Sequence, residues 1–173
     1  MRHRLVPLVA VLAAVVLVVD QLTKVWALAS LAPGERVEVV DGWLGFELVR
    51  NPGAALSFAQ GMTWVLTAVA VVVVVVVARA ARRLGSRGWA LAFGLLLGGA
   101  LGNLSDRFFR DPGPARGHVV DFIAYADWFV GNVADIAIVA AAGIVLLQAA
   151  RGVRLDGTRE VRQEEPAPEP VEP

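Results

Sequence analysis

The sequence predicts an all-α membrane protein: four transmembrane helices, with a small β-structured element outside the bilayer. Three observations lead there. Of 173 residues, 57% are hydrophobic, above the roughly 45–50% of soluble domains. The excess gathers in runs, as at Val71 to Val77, where seven valines stand together. Between two such runs, Asp41-Gly42 interrupts alternating apolar residues, the mark of a tight hairpin.

The runs place spans at about 5–29, 62–80, 88–107 and 131–150, each near the ~20 residues that cross a bilayer as a helix. In lipid every backbone polar group needs a partner within the protein, so runs this long must be helical. The first has a rival reading as a cleaved signal peptide, because Arg2 and Arg4 precede it and Ala27-Leu28-Ala29 resembles a cleavage site. Asp20, Gln21 and Lys24 interrupt the approach to that site, which favours a retained helix. Residues 1–152 form one membrane-embedded domain. The Glu- and Pro-rich stretch 153–173 lacks apolar periodicity and is expected to be a disordered cytoplasmic tail.

Orientation follows from the arginines. Arg2 and Arg4 precede the first span, Arg79, Arg82, Arg83 and Arg87 crowd the second connection without an acid, and Arg151 and Arg154 follow the last. Basic residues in short connections stay cytoplasmic, so both termini face the cytoplasm and residues 30–61 and 105–132 lie outside. The hairpin, about 36–50, falls in the first of these. Val37 and Val39 lead into its turn, and Leu44, Phe46 and Leu48 alternate after it.

Composition removes several chemistries. Sixteen basic and sixteen acidic residues balance, so no bulk field recruits nucleic acid. With no cysteine there is no thiolate nucleophile or Cys-ligated metal, and two histidines, His3 and His118, are too few for an H-E-x-x-H zinc site. Ser57 and Ser105 have no recognisable base nearby in sequence.

What remains are polar residues at the outer ends of spans, where burying a charge costs at least ~2.5 kcal/mol. Asn103, Asp106 and Arg107 share a helix face at i, i+3 and i+4; an interfacial cap with an Asp106–Arg107 pair would explain them without chemistry. Gly94, Gly98 and Gly102, with Gly99, form a small-residue face for close helix packing. Asn132 and Asp135 suit a helix N-terminus, but Asp121, fourteen residues upstream of Asp135 and flanked by Val119-Val120 and Phe122-Ile123, is poorly placed for a solvated loop. An interfacial strand or turn would aim it at the helix ends. Two carboxylates brought together in a partly dry site share a proton, and the pair can then activate water and protonate a carbonyl without a metal. Asp20 and Lys24 are an i,i+4 pair able to neutralise each other within the membrane. Asn51, beside Pro52-Gly53, is either a turn residue or an exposed amide with room for a peptide.

Taken together, D-Q-L-T-K at 20–24, N-P-G-A-A-L-S-F at 51–58, G-G-A-L-G-N-L-S-D-R at 98–107, G-H-V-V-D-F-I at 117–123 and N-V-A-D at 132–135 resemble the lipoprotein signal peptidases, or signal peptidase II. The resemblance spans about residues 5–150. It implies four transmembrane helices with a small extracytoplasmic β-cradle and an outer loop over the active site. It implies an aspartic endopeptidase of the bacterial inner membrane that needs no cofactor. Its substrates would be lipidated prolipoproteins, cut just before the diacylglyceryl-modified cysteine, with membrane lipids and globomycin-type inhibitors as further partners. Asp121 and Asp135 match the catalytic pair. Asn51, Asn103, Arg107 and Asn132 match substrate-binding or dyad-supporting positions, and Asp20, Lys24 and Asp106 match structural or activity-supporting ones. Gly131 where the family usually has Phe, Pro52 where Thr is frequent, and a short 121–135 stretch bear on the shape of the outer loop.

Two other classes fit parts of the pattern. A proton-coupled transporter could use Asp20, Asp106 and Asp135 as a relay, yet the halves show no internal repeat and the acids gather on one side. A non-catalytic membrane scaffold has only the glycine face in its favour.

Overall fold

The computed structural model describes residues 5–53 and 63–159. Arg2, His3, Arg4, residues 54–62 with Ala54, Ala55, Ser57 and Met62, and the tail from 160 onwards lie outside the described residues. The chain runs α1 (Val6–Ser30), β1 (Arg36–Val40), β2 (Leu44–Asn51), α2 (Thr63–Ala81), α3 (Arg87–Phe109), β3 (Val119–Tyr125), β4 (Phe129–Gly131) and α4 (Val133–Ala150). All four helices are long and apolar enough to cross a membrane. Up-and-down order puts the sheet at one end of the bundle, and Arg79, Arg82, Arg83, Arg87, Arg151 and Arg154 at the other.

Helix α3 lies between α1 and α4, and its glycines permit this. A Cβ on Gly98 would stand 2.8 Å from the Ala13 carbonyl of α1, and one on Gly99 2.6 Å from the Ala134 carbonyl of α4. Helices in lipid gain little from hydrophobic burial and associate through such close packing. The valine-rich α2 is peripheral: Val72 and Val76 are 60% and 58% exposed, a surface suited to lipid and costly in water.

The sheet has the order β1-β2-β3-β4, every neighbour antiparallel. The hairpin turns at Asp41-Gly42, with Gly42 at φ +69°, a conformation open to glycine at little cost. Trp26 of α1 meets Phe46 of β2 and Phe122 of β3 edge-on, with centroids 5.2 and 6.0 Å away, fastening the sheet to the bundle. Strand β3 lies between β2 and β4, and Val119 to Phe122 are all buried. The short 121–135 stretch is consumed by β3, a turn at 126–128, β4 and the helix cap.

One expectation needs correction. Residues 153–159 do not begin a structureless tail. Gly85 in the α2–α3 turn donates to Leu155 at 2.9 Å, Arg154 N–H donates to Thr158 at 2.8 Å, and the Asp156 carboxylate accepts the Thr158 N–H and hydroxyl. A polar, turn-forming segment can order itself by backbone and Asx-type hydrogen bonds, to which hydrophobic periodicity is blind.

Candidate active site

The polar residues singled out in sequence are positioned by several elements. Asp121 faces Val49 across the β2–β3 ladder, and Asn51 closes the same ladder opposite Val119. Asn103 lies on α3, Asn132 is the N-cap of α4, and Asp135 is its third residue. The four-stranded sheet and two helix ends thus converge. A cavity of about 220 Å³ is lined by Asp121 and Asp135 together with Asn51, Gly53, Leu66, Asn103, Arg107 and Val119.

Three asparagines hold the two carboxylates, and each is oriented by what its oxygen accepts. The Asn132 oxygen accepts the Asp135 N–H at 3.1 Å as a helix cap, so its NH₂ faces Asp121 and donates at 2.6 Å. The Asn51 oxygen accepts the Gly53 N–H at 2.7 Å, and its NH₂ donates to the other Asp121 oxygen at 2.8 Å. The Asn103 oxygen accepts from Lys24 at 2.9 Å and from Asn132 at 3.2 Å, leaving its NH₂ to donate to Asp135 at 2.9 Å. The second Asp135 oxygen accepts the Asn132 backbone N–H at 3.0 Å. Every carboxylate oxygen of the pair therefore receives a donor. The cap reading of Asn132 and Asp135 is realised in a capping box, and the same two residues also join the carboxylate pair.

Asp121 is 2% exposed. Burial pushes its pKa up to about 6, against the hydrogen bonds from Asn51 and Asn132; the charge of Asp135 adds to the rise. In a site of low polarisability, a carboxyl so placed keeps its proton well above the ordinary carboxylate range.

Behind the pair lies a buried charge network. Lys24 contacts Asp20 at 2.9 Å, Asp106 at 2.8 Å and the Asn103 oxygen, so all three of its N–H donors are used. Asp106 also pairs with Arg110 at 2.6 Å and accepts the Val120 N–H at 3.2 Å. The second Asp20 oxygen accepts the Ala134 N–H at 3.0 Å in the first turn of α4. The Asp20–Lys24 pair is as the spacing suggested, but an Asp106–Arg107 pair does not form. Adjacent helical residues do not face each other, whereas Arg110 at i+4 does; Arg107 lines the carboxylate cavity and donates to the Gly117 carbonyl at 3.4 Å. Sequence reasoning overlooked Arg110, detectable from that i+4 spacing, and Gln21, which donates to Asp20, Asp106 and the Gly102 carbonyl. His118 and Ser105 line other cavities, away from the carboxylate pair.

A sequence model for the family described as signal peptidase (SPase) II matches residues 12–151. The chain belongs to the signal peptidase II family. This membership makes it a peptidase of a bacterial membrane. Among its relatives, a lipoprotein signal peptidase of Rhodococcus jostii is 52% identical over 152 residues, covering 88% of this chain and 77% of the relative. One from Mycolicibacterium smegmatis is 52% identical over 142 residues, covering 82% of this chain but 60% of that longer relative. Two solved structures of bacterial membrane enzymes share the fold. One superposes with a TM-score of 0.75 over 90% of this chain and 95% of its own at 23% identity. The other has a TM-score of 0.73 over 83% and 92% at 24% identity.

Proposed function

We propose that this signal peptidase II removes signal peptides from prolipoproteins by cutting just before the diacylglyceryl-modified cysteine, with Asp121 and Asp135 as an aspartic dyad. The observation that carries the reading is the shared cavity, in which three oriented asparagines hold both carboxylates. The relatives' name supports the substrate class.

The two carboxyls divide the work by environment. Asp135 lies in the first turn of α4 and accepts the Asn132 backbone N–H. It takes a proton from water as the general base. Asp121, whose proton burial favours, donates it towards the carbonyl oxygen as the tetrahedral centre forms; the proton taken by Asp135 then passes to the departing amine, and the Asp121 proton returns as the carbonyl reforms. Arg107 and Asn51 at the cavity wall are placed to hold the substrate backbone. Asn103 and Asn132 keep the dyad in register, while Asp20, Lys24 and Asp106 hold the helices that carry it. No metal or other cofactor takes part.

The arginine-rich end of the bundle faces the cytoplasm in this reading, with both termini, and the sheet lies at the outer surface as a β-cradle for the substrate. Trp43, Trp64 and Trp128 are 67%, 53% and 77% exposed at that end, as in the aromatic belts of membrane interfaces. A substrate anchored by its acyl chains and its own apolar helix arrives already oriented at this depth. The outer loop implied by the family resemblance and sensitivity to globomycin-type inhibitors belong to the same reading. A purified sample given a diacylglyceryl prolipoprotein should release the signal peptide, leaving the lipidated cysteine at the new N-terminus by mass spectrometry. Cleavage at another bond, or only when a second protein is added, would refute it.

A further inference from the structure

A second cavity adjoins Asp135, and its lining is far more apolar than that of the first. It measures about 360 Å³ and is walled by Tyr125, Phe129, Ile136, Val139 and Ala140 beside Asp135. Asp135 lines both spaces. One is walled by asparagines and Arg107 together with Leu66 and Val119; the other is apolar except for Asp135 itself and the Tyr125 hydroxyl. The Tyr125 and Phe129 rings stack at 4.7 Å where β3 meets β4. Ile136, Val139 and Ala140 then follow Asp135 along α4, so the groove descends about 7 Å into the span at 1.5 Å per residue. Its wall opens away from the bundle, with Phe129, Ile136 and Val139 56%, 49% and 71% exposed.

We infer that this groove holds an acyl chain of the diacylglyceryl cysteine while the polar cavity takes the peptide backbone; the inference rests on the prolipoprotein reading above. The modified cysteine contributes the nitrogen of the bond to be cut, so its side chain must leave the dyad within a few atoms. It has two adjoining spaces to enter. Alkyl carbon in the polar one would strip solvent from Arg107 and the asparagines without replacing their partners. The groove presents no such groups, starts at the level of Asp135 and runs along a spanning helix towards hydrocarbon, as an acyl chain does. Since that chain comes from lipid, entering the groove gains little hydrophobic free energy. What it supplies is position: a chain fixed there holds the scissile bond against the carboxylates.

The test compares synthetic prolipoproteins that differ only in acyl length, dipalmitoyl against dihexanoyl, cleaved by purified protein in the same detergent. The unaltered protein should favour the long chains in kcat/KM. Ala140→Phe and Val139→Trp, which fill the groove, should reduce that preference at least tenfold. Val76→Trp, adding the same bulk to the lipid-facing side of α2, should leave the preference where it was. An undiminished preference in both groove variants would overturn the inference, as would equal kcat/KM for the two substrates with the unaltered protein. Failure of the unaltered protein to cleave either substrate would instead strike the prolipoprotein reading.

Discussion

Asn132 closes the first turn of α4 with its oxygen and holds Asp121 with its nitrogen, so one amide couples a helix cap to a carboxylate from a separate strand. The proton at the centre of this arrangement gives a directional prediction. Burial raises the Asp121 pKa from 3.8 to about 6, and the proposed acid works only when protonated. In kcat/KM, which reports the free enzyme, activity should therefore fall tenfold per pH unit above about pH 6. Bound substrate excludes water and raises the pKa further, so the limb in kcat should lie at higher pH. A profile that climbs through pH 6 and levels off would exchange the roles of Asp121 and Asp135. Much of this site was legible from residue types, because a carboxylate between Val119-Val120 and Phe122-Ile123 has no solvent-facing explanation. The asparagine orientations were not, since each depends on a donor or acceptor brought in by tertiary contact, as with Lys24 on Asn103.

At the scale of elements, the buried Lys24–Asp20–Asp106 network joins α1 to α3, and the Asp20 bond to Ala134 extends it to α4. Removing one member of a buried ion network leaves an uncompensated charge, which costs about 3–5 kcal/mol. Lys24→Met should accordingly give a markedly lower Tm in detergent and lose activity, because Asn103 also loses the donor that turns it towards Asp135. A Tm matching that of the unaltered protein would show that the network contributes nothing to the bundle. The i,i+4 pair within α1 could be read from spacing; its third partner, 82 positions after Lys24 along the chain, could not. Apolar periodicity gave the four spans and the β1–β2 hairpin. Strand β3 is less regular in sequence because, buried between two neighbours, it reads as a continuous apolar run interrupted by one acid. The turn at 153–159 escaped notice because it rests on backbone hydrogen bonds, with no apolar pattern to announce it.

For the whole molecule, the carboxylate pair lies where the helices meet the sheet, and the proposed orientation puts the arginines at the far end in the cytoplasm. The absence of native cysteine makes the orientation simple to test. In intact cells a membrane-impermeant maleimide should label Asp41→Cys at the hairpin turn, and should reach Arg83→Cys only after permeabilisation. The reverse pattern would invert the molecule and deprive the dyad of any extracytoplasmic substrate. The four spans are written in the sequence as run length; the union of β3 with the start of α4 is a long-range contact that run length does not record. The central claim is that Asp121 and Asp135 act as one catalytic unit, and the single-turnover rate of prolipoprotein cleavage by Asp121→Asn, Asp135→Asn and the double variant tests it most directly. Groups that act together lose their effect together, so each single change should reduce the rate at least about 100-fold, with little further loss in the double variant and with all three proteins still folded and inserted. A single variant cleaving within a factor of two of the unaltered protein would remove that residue from the chemistry and with it the dyad.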